Sequence, residues 1–212
     1  MELKVKIPKR MQDITLNQYQ RFMKECGDES LSEDIIALKM LEIFCGVPVS
    51  DSYKLRMSDV YNVCDGINKA LKETPSLINR WKYVDQEFGF IPQLDDMTFG
   101  EYVDLDKYIK DWDNMHKAMA VLYRPVLTSV NGKYDIEEYK GDSYWELMKQ
   151  MPLNVVMSSM LFFWTLENDL VKVMIRSLKP EEKATYLKKR RSMLDTVGIT
   201  QFGDLQKRTS QN

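Results

Sequence analysis

A mainly α-helical protein with a minor antiparallel β part, an α+β fold, is what this sequence predicts, on three observations. Stretches between residues 15 and 71 and between 98 and 166 set apolar side chains at helical spacing between recognisable caps and stops. Residues 80–91 change to alternate-residue periodicity, as in a strand pair with one buried face. Asn131 and Gly132 stand between two short β-prone runs, the combination that best tolerates the positive φ angles of a two-residue hairpin turn.

In chain order, Leu3, Val5 and Ile7 alternate with Glu2, Lys4 and Lys6, which predicts an N-terminal strand ended by Pro8. Thr15 and Gln18 stand at capping-box spacing, opening a helix through Tyr19, Phe22 and Met23 that Gly27 and Asp28 break. Residues 32–45 form a helix with a broad apolar face (Ile35, Ile36, Leu38, Leu41, Ile43, Phe44), stopped by Gly46 and Pro48. Ser58 is expected to cap the next helix, which keeps its spacing until Thr74 and Pro75. Residues 80–84 and 87–91 then read as a hairpin. The N-terminal strand is its expected third member, because a lone hairpin is barely stable in water.

The stretch 88–125 follows. It breaks at Pro92, restarts at Thr98 with Glu101 three residues on as a second capping box, and runs through Trp112 and His116 into an apolar helix expected to stop at Pro125. Residues 126–136 form the second hairpin, read as an arm. Ser143 and Glu146 offer a third capping box, for a short helix. From Pro152 to Leu178 nearly every face carries large apolar side chains, so this helix is either the central core element or part of an interface between chains. Lys179 and Pro180 separate it from a last, basic helix over 181–196, and residues 199–212 form a polar tail. With neither repeats nor a low-complexity linker, 1–212 is read as a single domain.

The composition, 44% hydrophobic and 29% charged, is that of a globular chain, and a net charge of −2 argues against a general polyanion binder. The charge is unevenly placed. From Asp85 to Asp113 nine acids face only Lys107 and Lys110, a net of −7, whereas residues 179–191 and the first 24 residues are each +4. An acidic middle between basic ends is self-complementary between copies. Cys26, Cys45 and Cys64 share no metal-ligand spacing and fit a reducing compartment. The N-terminus has no apolar signal core, and the charge-free run 152–166 is shorter than the roughly 20 residues of a membrane span, so no membrane role is expected.

His116 is the sole histidine, so any Cys-His or Ser-His mechanism must use it, yet no partner accompanies it at recognisable spacing. Asp104, Asp106, Asp111 and Asp113 lack the pattern of a calcium loop and read as helix termini and solvated faces. No phosphate loop, zinc spacing or nucleophile elbow is present. The chain is therefore read as a non-enzyme without catalytic, cofactor-binding or metal-binding residues and without a cofactor. Fourteen methionines and many aromatics point instead to protein contacts. The candidate interface residues are Trp112, His116, Asn131, Gly132, Lys188, Lys189, Arg190 and Arg191, the last four also able to meet phosphates of DNA.

The block FIPQLDDMTFGEYVDLDKYIKDWDNMHKAMAVLYRPV resembles a segment of proteins of tailed bacteriophages, including the crAss-like group, as do KIPKRMQDITLNQYQRF and MPLNVVMSSMLFFW. The resemblance implies a virion structural protein, a ring or adaptor of the head-to-tail connector (neck) next to the portal. Its partners would be the portal, neighbouring ring or tail subunits and further copies of itself in a ring, with incidental contact with phage DNA. Its place would be the virion neck or tail region, and the host cytoplasm during assembly. A tail assembly chaperone absent from the mature virion, or a DNA-packaging accessory protein, are the alternatives. No functional residue travels with the resemblance.

Overall fold

The computed structural model describes residues 6–27 and 31–177, with side chains through residue 166. The last basic helix, the polar tail, and Lys188, Lys189, Arg190 and Arg191 lie outside the described residues, as do residues 1–5 of the expected N-terminal strand. Helices α1 (Leu16–Cys26), α2 (Glu33–Cys45), α3 (Val49–Ser52) and α4 (Met57–Leu71) come first, then strands β1 (Arg80–Tyr83) and β2 (Gln86–Phe90). Helices α5 (Phe99–Tyr108) and α6 (Met115–Leu122) follow, then β3 (Tyr123–Val130), β4 (Lys133–Ile136), α7 (Trp145–Met148) and α8 (Leu153–Ser177). The fold is α+β, helical with one small antiparallel sheet.

The capping boxes at Thr15/Gln18 and Thr98/Glu101 are both formed, each side chain satisfying a free N–H of the first turn. Two expected caps are not. Helix α4 starts at Met57 after Arg56, ahead of Ser58 and without a side-chain cap. Helix α7 starts after Tyr144, because the Ser143 hydroxyl donates back to the Lys140 carbonyl and Glu146 pairs with Lys149.

The four strands form a meander in the order β1-β2-β3-β4, all antiparallel. The third strand described beside the first hairpin is β3, which pairs with β2, whereas most of the expected N-terminal strand lies outside the described residues. Residues 6–9 carry no regular structure, and the chain after them is stapled elsewhere. Thr15 bridges Pro152, Leu16 N donates to the Met151 carbonyl and Leu153 N to the Ile14 carbonyl.

Pro125 is likewise not a helix stop. Helix α6 ends at Leu122, and Tyr123 is already extended (φ −119°, ψ 121°). A proline bars α-helical geometry from the residue before it, so the chain is extended by Arg124. Pro125 itself pairs with Phe88, and its carbonyl accepts from Glu137 N. Strand β3 thus serves two partners, β2 through residues 123–125 and β4 through residues 126–130, with a bulge at Leu127.

One apolar core joins the parts. Phe22 of α1 meets Phe44 of α2 with ring centroids 5.2 Å apart, and Phe90 of β2 packs on Tyr123 and on Phe162 and Phe163 of α8. Seven methionines (11, 40, 115, 119, 148, 151, 157) are buried in it, so much of the methionine content fills gaps inside the subunit. Helix α8 is buried from Leu153 to Ser159 apart from its Asn154 face, then emerges: Trp164, Thr165 and Leu166, spanning more than half its circumference, are exposed.

Candidate interaction surface

Trp112 and His116, expected at an interface, are used up inside the subunit. Asp111 caps the turn Trp112–Asn114 by accepting from Asp113 N, which feeds the chain into α6. Trp112 lies edge-on to Tyr19 at 4.7 Å, and His116 is only 7% exposed. Gln20 of α1 knits the pair together. Its amide nitrogen donates to the Trp112 carbonyl at 2.6 Å and the Asp113 carbonyl at 3.2 Å, and lies 3.1 Å from His116 Nδ1. Burial, then the nearby Lys149 and Lys117, lower the imidazole pKa, so His116 is held neutral.

Asn131 and Gly132 form the turn of the second hairpin with φ 51° and 80°, both positive as a type I′ turn requires. One side of this hairpin is tied down. Tyr134 lies on Gly89 of β2, donates to the Phe90 carbonyl at 2.7 Å and carries the Arg80 guanidinium 5.5 Å from its ring centroid. Leu127 and Val130 are exposed to solvent.

Beside this hairpin sits a buried polar cluster that sequence reasoning missed. Arg124 of β3 pairs with Glu101 of α5 at 2.7 Å. The other Glu101 oxygen accepts from Thr98 N at 2.6 Å, so a single carboxylate closes the capping box and holds the arginine. Burial lowers the Arg124 pKa while Glu101 opposes it, and its Nε finds no partner. Around the pair, Tyr139 donates to Asp104 at 2.8 Å and Tyr144 to Glu137 at 2.6 Å. The bond to Glu137 pushes the Tyr144 hydroxyl up to about 12. The cluster locks α5 to β3 and to the chain after β4. One signal was available: Arg124 is the only charge in the apolar run 118–130.

Helix α5 is therefore anchored on its inner face by Glu101, Leu105 and Tyr108, all buried. Its outer face is apolar as well. Phe99 is 82% exposed, Tyr102 59% and Val103 45%. Spaced i, i+3 and i+4, they share one side of the helix. Asp106 continues that stripe one turn on, paired with Lys110 at 2.6 Å, and exposed Asp95 and Asp96 precede it. This short helix has two apolar faces, one packed and one in water rimmed by acids, which makes the outer face the candidate interaction surface.

Among the described residues no group of three or more His, Cys, Asp or Glu side chains is placed to hold a metal ion, and no helix is long and apolar enough to cross a membrane. Comparison with family models, curated proteins and solved structures finds no match to this chain.

Proposed function

We propose that this chain is a non-enzymatic structural subunit that works by being bound by other proteins, and specifically a ring or adaptor subunit of a phage head-to-tail connector. The observation that carries the reading is the outer face of α5. Phe99, Tyr102 and Val103 stand in water on a helix whose opposite face is fixed by the core and by the Glu101–Arg124 pair. A rigid element presenting aromatic side chains supplies binding area at little entropic cost. The opposite charges of 85–113 and 179–191 suit a head-to-tail contact, and such contacts generate rings when the rotation closes. The resemblance of three blocks to proteins of tailed phages supplies the setting.

Two measurements test the reading. Native mass spectrometry of the purified protein is expected to show a closed oligomer whose mass is a multiple of 25.0 kDa. Peptides from the chain are expected in purified mature particles. A monomer at high concentration that is also missing from particles would overturn the proposal. Capture of an unassembled tail protein, with absence from the finished particle, would identify an assembly chaperone instead.

A further inference from the structure

We infer that the outer face of α5 receives the basic segment 179–191 of a second copy of this chain, an assignment that rests on the assembly reading above and specifies its contact. The face offers Phe99, Tyr102 and Val103 between acidic ends, Asp95 and Asp96 before them and Asp106 after. The segment that contains it, 85–113, has a net charge of −7 in sequence, of which Glu101 is offset by Arg124. A fitting occupant is cationic and carries apolar side chains at a matching interval. Among the chain's own segments, 179–191 and its continuation meet both conditions. Lys183, Lys188, Lys189, Arg190 and Arg191 supply the charge, and the apolar pairs Tyr186/Leu187 and Met193/Leu194 recur seven residues apart. The N-terminal 24 residues are equally cationic, but Met11, Ile14, Leu16, Tyr19 and Phe22 are committed to the subunit's own core.

The length of α8 suits a neighbour as the donor. Phe162 and Phe163 still pack on Phe90, Trp164 to Leu166 are exposed, and the helix continues to Ser177, fourteen residues or about 21 Å past Phe163 at 1.5 Å per residue. The basic segment follows the end of this helix in sequence, and in the proposed ring it meets the neighbouring copy. A face on one element and a tail on another make a heterologous contact, the kind that closes into a ring.

The test uses the full chain with a photo-crosslinking benzoylphenylalanine in place of Tyr102, prepared as an equal mixture of 14N- and 15N-labelled protein. After irradiation, mass spectrometry is expected to find Tyr102 joined to peptides from 179–194, with mixed-label pairs among them. Crosslinks confined to same-label pairs would mean that the chain's own tail covers the face, and would overturn the assignment. Crosslinks to any other segment, or none, would do the same. Native mass spectrometry of the same sample separates this failure from that of the assembly reading: an intact oligomer without the crosslink removes only the contact, whereas a monomer removes both. As a second arm, changing Lys188, Lys189, Arg190 and Arg191 to Glu is expected to weaken assembly at least tenfold. Adding Asp95→Lys and Asp96→Lys on the face is expected to restore part of it. Unchanged assembly in the tail variant would overturn the charge complementarity proposed here.

Discussion

Glu101 and Arg124 form an ion pair at 2.7 Å with side chains only 4% and 10% exposed, and that pair joins the first turn of α5 to the centre of the sheet. Neither residue can be removed alone without leaving the other buried and unpaired. Arg124→Met and Glu101→Gln are each expected to lower unfolding stability by about 3–5 kcal/mol. The double variant Arg124→Met/Glu101→Gln should cost clearly less than the sum, since no charge is then stranded. Urea denaturation of the three variants measures this coupling, and strict additivity would show that the pair does not act as a unit.

Gly89 has no room for a side chain. A methyl group there would come within 2.5 Å of the Tyr134 ring and 3.0 Å of Val126 Cγ2. The ring cannot simply swing away, being held by its hydrogen bond to Phe90 and by Arg80. Gly89→Ala is expected to destabilise by about 1–3 kcal/mol through overpacking. In a Tyr134→Ala background the same substitution should lose most of its effect, read from the denaturation midpoints of the four-member cycle.

His116 links stability to pH. Its folded-state pKa is lowered from the ordinary 6.5, so below about that pH the unfolded chain binds the proton more readily than the folded one. The contribution of the neutral ring is fully present above pH 6.5 and is lost as pH falls through the folded value. His116→Gln should flatten this part of the stability profile between pH 7.5 and 5. Because the chain has one histidine, a single imidazole NMR titration reports the folded pKa directly, and a midpoint at or above 6.5 would contradict the buried site.

The three cysteines are expected to be sluggish. Burial raises each thiol to about 11, with neighbouring charge adding to the effect at Cys26 and Cys64. At pH 7.5 the thiolate fraction is then lower than in the unfolded chain by a factor on the order of a hundred or more. Alkylation with iodoacetamide should proceed slowly in buffer and rapidly in urea. Fast native labelling of Cys26 or Cys64 would show that the α1–α2–α4 layer opens readily.

Local chemistry made much of this architecture legible before any coordinates. Thr15 and Thr98 marked helix starts because their capping partners lie three residues away, within reach of the same turn. Asn131 and Gly132 marked a hairpin because the two residues tolerate the backbone angles its turn demands. The helices expected over 32–45 and from Ser58 to Thr74 followed from apolar periodicity and stop signals, and they form as Glu33–Cys45 and Met57–Leu71. All these features depend on neighbours in sequence, so the sequence by itself determined them.

Long-range contacts decided the rest. Pro125 bars the helix at Arg124, but only the pairing of Tyr123, Arg124 and Pro125 with β2, more than thirty residues earlier, makes the chain there a strand. Glu101 reads as a capping residue, and only the approach of β3 makes it also the counter-ion of Arg124. Trp112 and His116 resemble interface anchors until α1 brings Tyr19 and Gln20 against them. Conversely Phe99, Tyr102 and Val103 resemble core residues until the other face of α5 takes the core. Side-chain type limits what a residue can do, but burial and partnership come from segments that meet only when the chain has folded, and those decided which residues this chain keeps inside and which it leaves in water.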